Sequence, residues 1–419
     1  MNPLSTLRRL DAQTQRNFIL LFGAALFFWV GLTTLLPTLP SYAQKVGASH
    51  QQVGLVMGAF AIGLLGSRVW LGQLVDRRGR RAALLIGAFV GTAAPLGYLW
   101  GDTVPLLIVI RAFHGVSVAA FTTGFSALVV DLAPPKQRGE LIGYMSLAVP
   151  VGMALGPALG GYLETALSYE FLFTLSAALG GVALGLIWLI REAPRPIFNA
   201  AVGAGEGVLN RTMLQLLISP GLLIPSLVLL LIGLVFGNLA TFLPLFIKEI
   251  PLAINVGLFY TVAAMTSFIA RVWTGQASDL YGRGVFIAGS LVSYIGAMIL
   301  LGNTYTVPVF LLAAALEGIG AGVLIPMTIA LISDRSSLAE RGRVFAVCVS
   351  GFDVGIALAG PIFGFSQAWL GFRGLFGVTS ALACLALALF ASQGNPSWRS
   401  SLGFALAREK DLYALRQEI

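Results

Sequence analysis

"SRVWLGQLVDRRGR", residues 67–80, returns in altered form as "ARVWTGQASDLYGR" at residues 270–283. Eight of the fourteen positions are identical, pairing Arg68 with Arg271, Trp70 with Trp273, Gly72 with Gly275, Asp76 with Asp279, Gly79 with Gly282 and Arg80 with Arg283. The offset of 203 residues also relates "VGL" at 53–55 to 256–258, Asp131 to Asp334, and Arg138-Gly139 to Arg341-Gly342. One half of the chain is therefore a diverged copy of the other.

Composition sets the solvent in which that repeat folds. Of 419 residues, 57% are hydrophobic and 11% charged, with 50 glycines and a mean hydropathy of +0.87. Soluble domains carry about 25% charged residues, so the chain reads as an all-α polytopic membrane protein. Apolar runs long enough to cross about 30 Å of hydrocarbon fall at 17–41, 50–74, 82–100, 104–130, 140–163, 168–191, 221–247, 253–276, 284–302, 307–332, 343–368 and 373–391. The first is too long for a signal-peptide core and is expected to be retained. Six spans precede and six follow the polar stretch 192–219, so the expected organisation is a six-helix bundle over 1–191, a cytoplasmic linker over 192–219, a second bundle over 220–391 and a cytoplasmic tail over 392–419.

The net charge of +8 follows topology. With the N-terminus inside, 20 of the 26 Lys and Arg lie on the cytoplasmic side, and the outer loops hold only Lys45, Lys248 and Arg373. The positive-inside rule then puts both termini in the cytoplasm, and the basic balance calls for no nucleic-acid partner. Cys348 and Cys384 lie in apolar segments, which argues against a disulfide or a metal site.

"GQLVDRRGRR" at 72–81 resembles the loop signature of the major facilitator superfamily, and residues 275–283 are similar to its second-half counterpart. The resemblance covers the whole chain and implies two six-helix bundles related by pseudo-twofold symmetry, working as a monomer by alternating access. It also implies a cytoplasmic gate in which Asp76 meets the start of the eleventh segment. Gly72 and Gly79 permit a tight turn and close helix approach. Asp131 is the natural partner of Arg80, Arg138 stands nearby, and Asp279 and Arg283 repeat the pattern. Arg68 and Arg271 lie about 12 Å deeper along their helices, where snorkelling or structural pairing is expected.

In the fifth segment, "GMALGPALGG" at 152–161 spaces Gly152, Gly156 and Gly160 four apart, adds Gly161, and makes bending cheap at Pro157. The string is similar to GxxxGPxxGG of drug-exporting family members. The alternative reading is a packing groove with no bearing on direction.

Ionisable residues inside spans are functional candidates. Arg111 and His114 lie one turn apart in "RAFHG", which resembles a family signature associated with proton transfer. Histidine titrates near neutrality, which suits loading and release of a proton. Glu317 and Asp353 lie in the tenth and eleventh segments. A carboxylate that alternates between an apolar cavity and water is what proton coupling needs. Asp353, about 15 Å beyond Arg343, is the first choice and Glu317 the second. Thr33 and Thr34 in the first segment, with Asn238 and Thr241 in the seventh, suit the lining of a cavity for an amphipathic solute. The first segment has no acid where drug exporters of the superfamily often carry one, which weighs against cationic drugs.

The reading is thus a proton-coupled exporter of a drug, sugar or metabolite in a bacterial inner membrane. No P-loop supplies ATP chemistry, and neither a cofactor nor a metal is called for. An importing symporter or facilitator is the alternative within the class, and a non-transporting receptor is the alternative outside it. With no HExxH and no nucleophile elbow, an enzyme is not expected, and His50 reads as a solvated loop residue.

Overall fold

The computed structural model describes residues 10–134, 137–191, 213–252, 254–337 and 340–415. All regular structure among them is helical. The helices are α1 (Ala12–Lys45), α2 (His50–Arg78), α3 (Arg80–Gly97), α4 (Val104–Leu132), α5 (Arg138–Ser146), α6 (Ala148–Ala166) and α7 (Tyr169–Trp188). They continue as α8 (Met213–Leu217), α9 (Pro220–Glu249), α10 (Val256–Tyr281), α11 (Arg283–Gly302), α12 (Val307–Asp334), α13 (Arg341–Gln393) and α14 (Trp398–Ala405).

Ten stretches among the described residues are long and apolar enough to cross a bilayer. Two features raise this to twelve crossings. The 29-residue α2 is as long as α4, and α13 is two helices joined at Gly371, whose φ of 62° and ψ of 173° break the run. Arg373 fixes that corner by donating to the carbonyls of Gly302 at 2.8 Å and Thr304 at 2.9 Å, with its guanidinium 4.2 Å from the Tyr305 ring. Lys45 and Lys248, the other two cations expected outside, are also engaged. Lys45 stands 5.1 Å from the Tyr169 ring, and Lys248 pairs with Glu164 at 3.1 Å. His50 is the first residue of α2, behind a capping box made by Ser49 and Gln52.

Contacts divide the chain into two compact units, residues 1–193 with 240–261, and residues 194–239 with 262–419. In the first, Phe28 of α1 stacks on Phe121 of α4 at 3.9 Å and fills the gap over Gly91 of α3. Ser176 of α7 donates to the Gly31 carbonyl of α1 at 2.7 Å. With no solvophobic force between helices in lipid, such close, small-residue contacts are what hold a bundle together. The second unit uses the same device: a Cβ at Gly233 of α9 would lie 2.3 Å from the Phe352 carbonyl of α13, and one at Gly355 of α13 would lie 2.2 Å from the Leu230 carbonyl of α9.

The repeat read from the sequence is present inside each unit as repeated geometry. Gly79 ends α2 with φ 93° and ψ 165°, and Gly282, 203 residues on, ends α10 with φ 84° and ψ 159°. The next residue is in each case an arginine that reaches back five positions. Arg80 donates to the Val75 carbonyl, Arg283 to the Ser278 hydroxyl. Each arginine also pairs with the aspartate at the end of a later helix, Arg80 with Asp131 at 3.0 Å and Arg283 with Asp334 at 3.5 Å.

That backbone region is open only to glycine at low cost. Gly79→Ala and Gly282→Ala should each lose about 1–3 kcal/mol, seen as a lower Tm of the purified protein. Gly289→Ala is the control, because a Cβ at this helical glycine of α11 meets nothing within 4 Å among the described residues.

Candidate functional site

The ionisable candidates of the first unit form one cluster. Close packing of α2 on α4 builds it: a Cβ at Gly115 would lie 1.8 Å from the Phe60 carbonyl, and one at Gly63 would lie 1.7 Å from the Ala112 carbonyl. The glycines let the helices touch backbone to backbone, which brings the Phe60 ring against Arg111 and His114. Arg111 is buried with its guanidinium 4.4 Å from that ring centroid, a cation–π contact in an apolar setting. His114 is fully buried, edge-on to Phe60 at 5.8 Å. Its Nδ1 lies 3.3 Å from the hydroxyl of Tyr98, while Nε2 and the Arg111 Nε have no hydrogen-bond partner among the described residues.

Tyr98 follows directly on the last residue of α3, and its ring packs on Phe173 of α7 at 5.4 Å. Nothing in the sequence spacing ties residue 98 to residue 114; only the folding of α3 against α4 does. The cluster therefore holds a cation, an imidazole and a phenol with spare hydrogen-bonding capacity, a set that can pass a proton or hold an anionic or polar group.

In the second unit the buried acid is Glu317 of α12, 5% exposed. It has neither an ion-pair nor a hydrogen-bond partner among the described residues. Beside it Gly318 lets α12 close on α10, where a Cβ would lie 2.1 Å from the Ala263 carbonyl, and Tyr294 of α11 covers Gly320 one turn on. The offset of 203 maps His114 onto Glu317, Gly115 onto Gly318 and Phe60 onto Ala263. So the two halves place one buried ionisable side chain at the same register, next to the same glycine-on-carbonyl crossing. The offset needed to see this stands in the sequence.

Asp353 is less enclosed, half-buried on α13. Asn238 of α9 is fully buried, and neither its amide oxygen nor its nitrogen is hydrogen-bonded among the described residues. An amide in that state costs free energy unless a solute or water completes it. Thr34 is turned to its own helix, donating to the Val30 carbonyl at 2.7 Å, and Thr33 donates to the Trp29 and Gly152 carbonyls. Both hydroxyls are spent on backbone.

The glycine string serves packing within the first unit. Cβ atoms at Gly152, Gly156 and Gly160 would stand 2.4 Å from the Trp29 Cβ, 2.0 Å from the Thr33 hydroxyl and 2.0 Å from the Thr34 carbonyl, so these three glycines form the seat of α1. Gly161 faces the other way, with Gly257 2.4 Å from a Cβ placed there. Pro157, buried, sits inside α6.

Of the expected gate, the Arg80–Asp131 and Arg283–Asp334 pairs are in place. The side chains of Asp76, Arg138 and Asp279 lie outside the described residues. Gly79 makes the turn, whereas at Gly72 no atom among the described residues comes within 4 Å of a Cβ, so the close approach expected there is absent from them.

A family model described as Major Facilitator Superfamily matches residues 21–302 and 253–404. The chain is 28% identical over 178 residues to the quinolone resistance protein NorA of Staphylococcus aureus, a match spanning 42% of this chain and 45% of that protein. To the multidrug resistance protein MdtG of Dickeya zeae it is 26% identical over 389 residues, 88% of this chain and 92% of that protein. Among solved structures, a mutant of the nucleoside transporter NupG superposes with a TM-score of 0.74 at 13% identity, covering 90% of this chain and 99% of that one.

Proposed function

The chain belongs to the major facilitator superfamily, and from that membership we propose that it is a proton-coupled exporter of a small organic molecule, working by alternating access. The paired burial of His114 and Glu317 carries this reading. A carboxyl group enclosed without a partner is costly as an anion, so it takes a proton when shut off from water and gives it up when water reaches it. Glu317 is the coupling acid. His114, with Tyr98 on Nδ1 and Arg111 one turn away, relays or gates the proton in the other half. Asn238 is a polar contact for the solute, and the Arg80–Asp131 and Arg283–Asp334 pairs steady the cytoplasmic ends of their units.

The outward direction is supported by the GPxxGG string of α6 and by the two resistance proteins to which the chain is similar. Their names point to quinolone-like and other drug-sized organic molecules as the solutes to try first. The absence of an acid in α1 favours neutral or zwitterionic members of that set over cations.

The test is a proteoliposome holding a pH-sensitive dye, challenged with a quinolone and a panel of drug-sized solutes. Antiport predicts that solute moving into the vesicle drives protons out of it. Protons moving with the solute would make the chain a symporter, solute flux without protons a facilitator, and saturable binding without flux a receptor.

A further inference from the structure

The segment after α13 is folded, and its construction leaves one apolar face exposed among the described residues. Asn395 organises the fold: its amide nitrogen donates to the carbonyls of Ser400 and Lys410, and its amide oxygen accepts from the Leu412 N–H. Ser397 and Ser400 make a capping box that starts α14. Ala407, with φ 56°, turns the chain back at the other end. Arg335 then locks the returning segment. Its guanidinium holds Asp411 through two hydrogen bonds of 2.8 and 2.9 Å, and donates to the carbonyls of Gly221 and Gly394 at 2.7 Å each. Phe404 packs on Phe390, and its carbonyl sits over Gly284 at the start of α11.

At about 100° per residue, the buried residues Ser400, Ser401, Phe404 and Ala405 occupy one arc of α14. The next arc carries Trp398, Leu402 and Leu406, which are 63%, 37% and 51% exposed. Arg399 follows at its edge, and Arg408 and Lys410 stand exposed just beyond the helix. Asp411 is neutralised by Arg335, which leaves Glu409 as the one acid against three cations on this short stretch. Tyr281, at the same end of the unit where α10 gives way to α11, is also exposed. Large apolar side chains flanked by cations, with Trp and Tyr exposed at the same end of the unit, are the pattern of a helix lying in the headgroup region.

We propose that α14 is an interfacial anchor that seats Trp398, Leu402 and Leu406 in the acyl boundary and binds anionic lipid headgroups through Arg399, Arg408 and Lys410. Charge complementarity selects the occupant: the cytoplasmic leaflet carries the acidic lipids that attract such cations, and the basic loops place this end of the chain on that side. The proposal is independent of which solute or ion the chain carries.

A spin label tests it in the full chain. With Cys384→Ser removing the exposed thiol and Cys348 left buried, a nitroxide is attached at Leu402→Cys or at Glu409→Cys. Each protein is reconstituted in phosphatidylcholine alone and in phosphatidylcholine containing phosphatidylglycerol. The label at 402 should collide with oxygen in preference to a water-soluble nickel chelate, and the label at 409 should show the reverse. Adding phosphatidylglycerol should shift the 402 label deeper. Arg399→Gln, Arg408→Gln and Lys410→Gln together should abolish that shift while the 402 lineshape stays unchanged, which separates lost lipid contact from an unfolded tail. A 402 label open to the nickel chelate in both lipids would overturn the anchor and leave the stripe for a protein partner. A label that is deep but indifferent to phosphatidylglycerol would overturn the headgroup site.

Discussion

Glu317→Gln will reduce solute-driven proton movement in proteoliposomes to the level of vesicles without protein, while solute-for-solute exchange continues. The amide keeps the size and shape of the acid, so the surrounding packing is undisturbed, and only the capacity to exchange a proton is lost. Exchange needs the solute site to face each side in turn but needs no net proton transfer, which is why it survives. Asp353→Asn should slow both reactions by the same factor, because its side chain is only half-buried and its protonation is then not tied to closure. If Asp353→Asn uncouples and Glu317→Gln does not, the coupling acid lies on α13 and the proposed role of Glu317 is wrong.

The order of these two acids shows where sequence reasoning stops. Depth along a helix can be counted from a loop, and by that count Asp353 stands near the membrane centre. Depth does not say which way a side chain faces. Burial of Glu317 depends on α10 and α11 closing over it, through contacts at Gly318 and Gly320 with residues dozens of positions away. The same limit hid Tyr98, whose hydroxyl reaches His114 only because α3 and α4 pack together. It also hid Arg335, a topological charge in the sequence and the centre of the tail in the fold.

What depends on period and on covalent neighbours was legible. Twelve apolar runs gave twelve crossings, and the repeat at 203 residues foretold the matching turns at Gly79 and Gly282, because a glycine followed by arginine at a membrane face leaves the chain few conformations. Boundaries were less so. Predicted spans tracked hydrocarbon thickness, while helices such as α1 run on past it for as long as backbone bonds are satisfied, from Ala12 to Lys45. Thr33 and Thr34 of α1 show the same limit: the sequence marks them as polar groups within a span, and only the fold shows that each hydroxyl donates to a carbonyl of its own helix.

Gly115→Ala and Gly318→Ala will each prevent recovery of folded, monodisperse protein, or yield protein that no longer couples. One methyl group added at Gly115 would sit 1.8 Å from a backbone oxygen of α2, and at Gly318 2.1 Å from one of α10. Neither obstacle is a side-chain tip that can rotate away, so the helices must separate along their length, at a cost of about 3 kcal/mol or more. Gly185→Ala and Gly289→Ala add the same methyl group to helices where nothing stands within 4 Å among the described residues, and both should leave the gel-filtration profile and Tm unchanged. The glycine-on-carbonyl crossings also set the position of the neighbouring ionisable groups. Any variant that folds by pushing α2 off α4 draws Phe60 away from Arg111 and His114, and one that pushes α10 off α12 opens Glu317 to water. Such a protein would bind solute but leak protons, so the pair of alanine variants should lose coupling before they lose binding. Normal coupling in either folded variant would mean that burial at these two matched positions is incidental to transport.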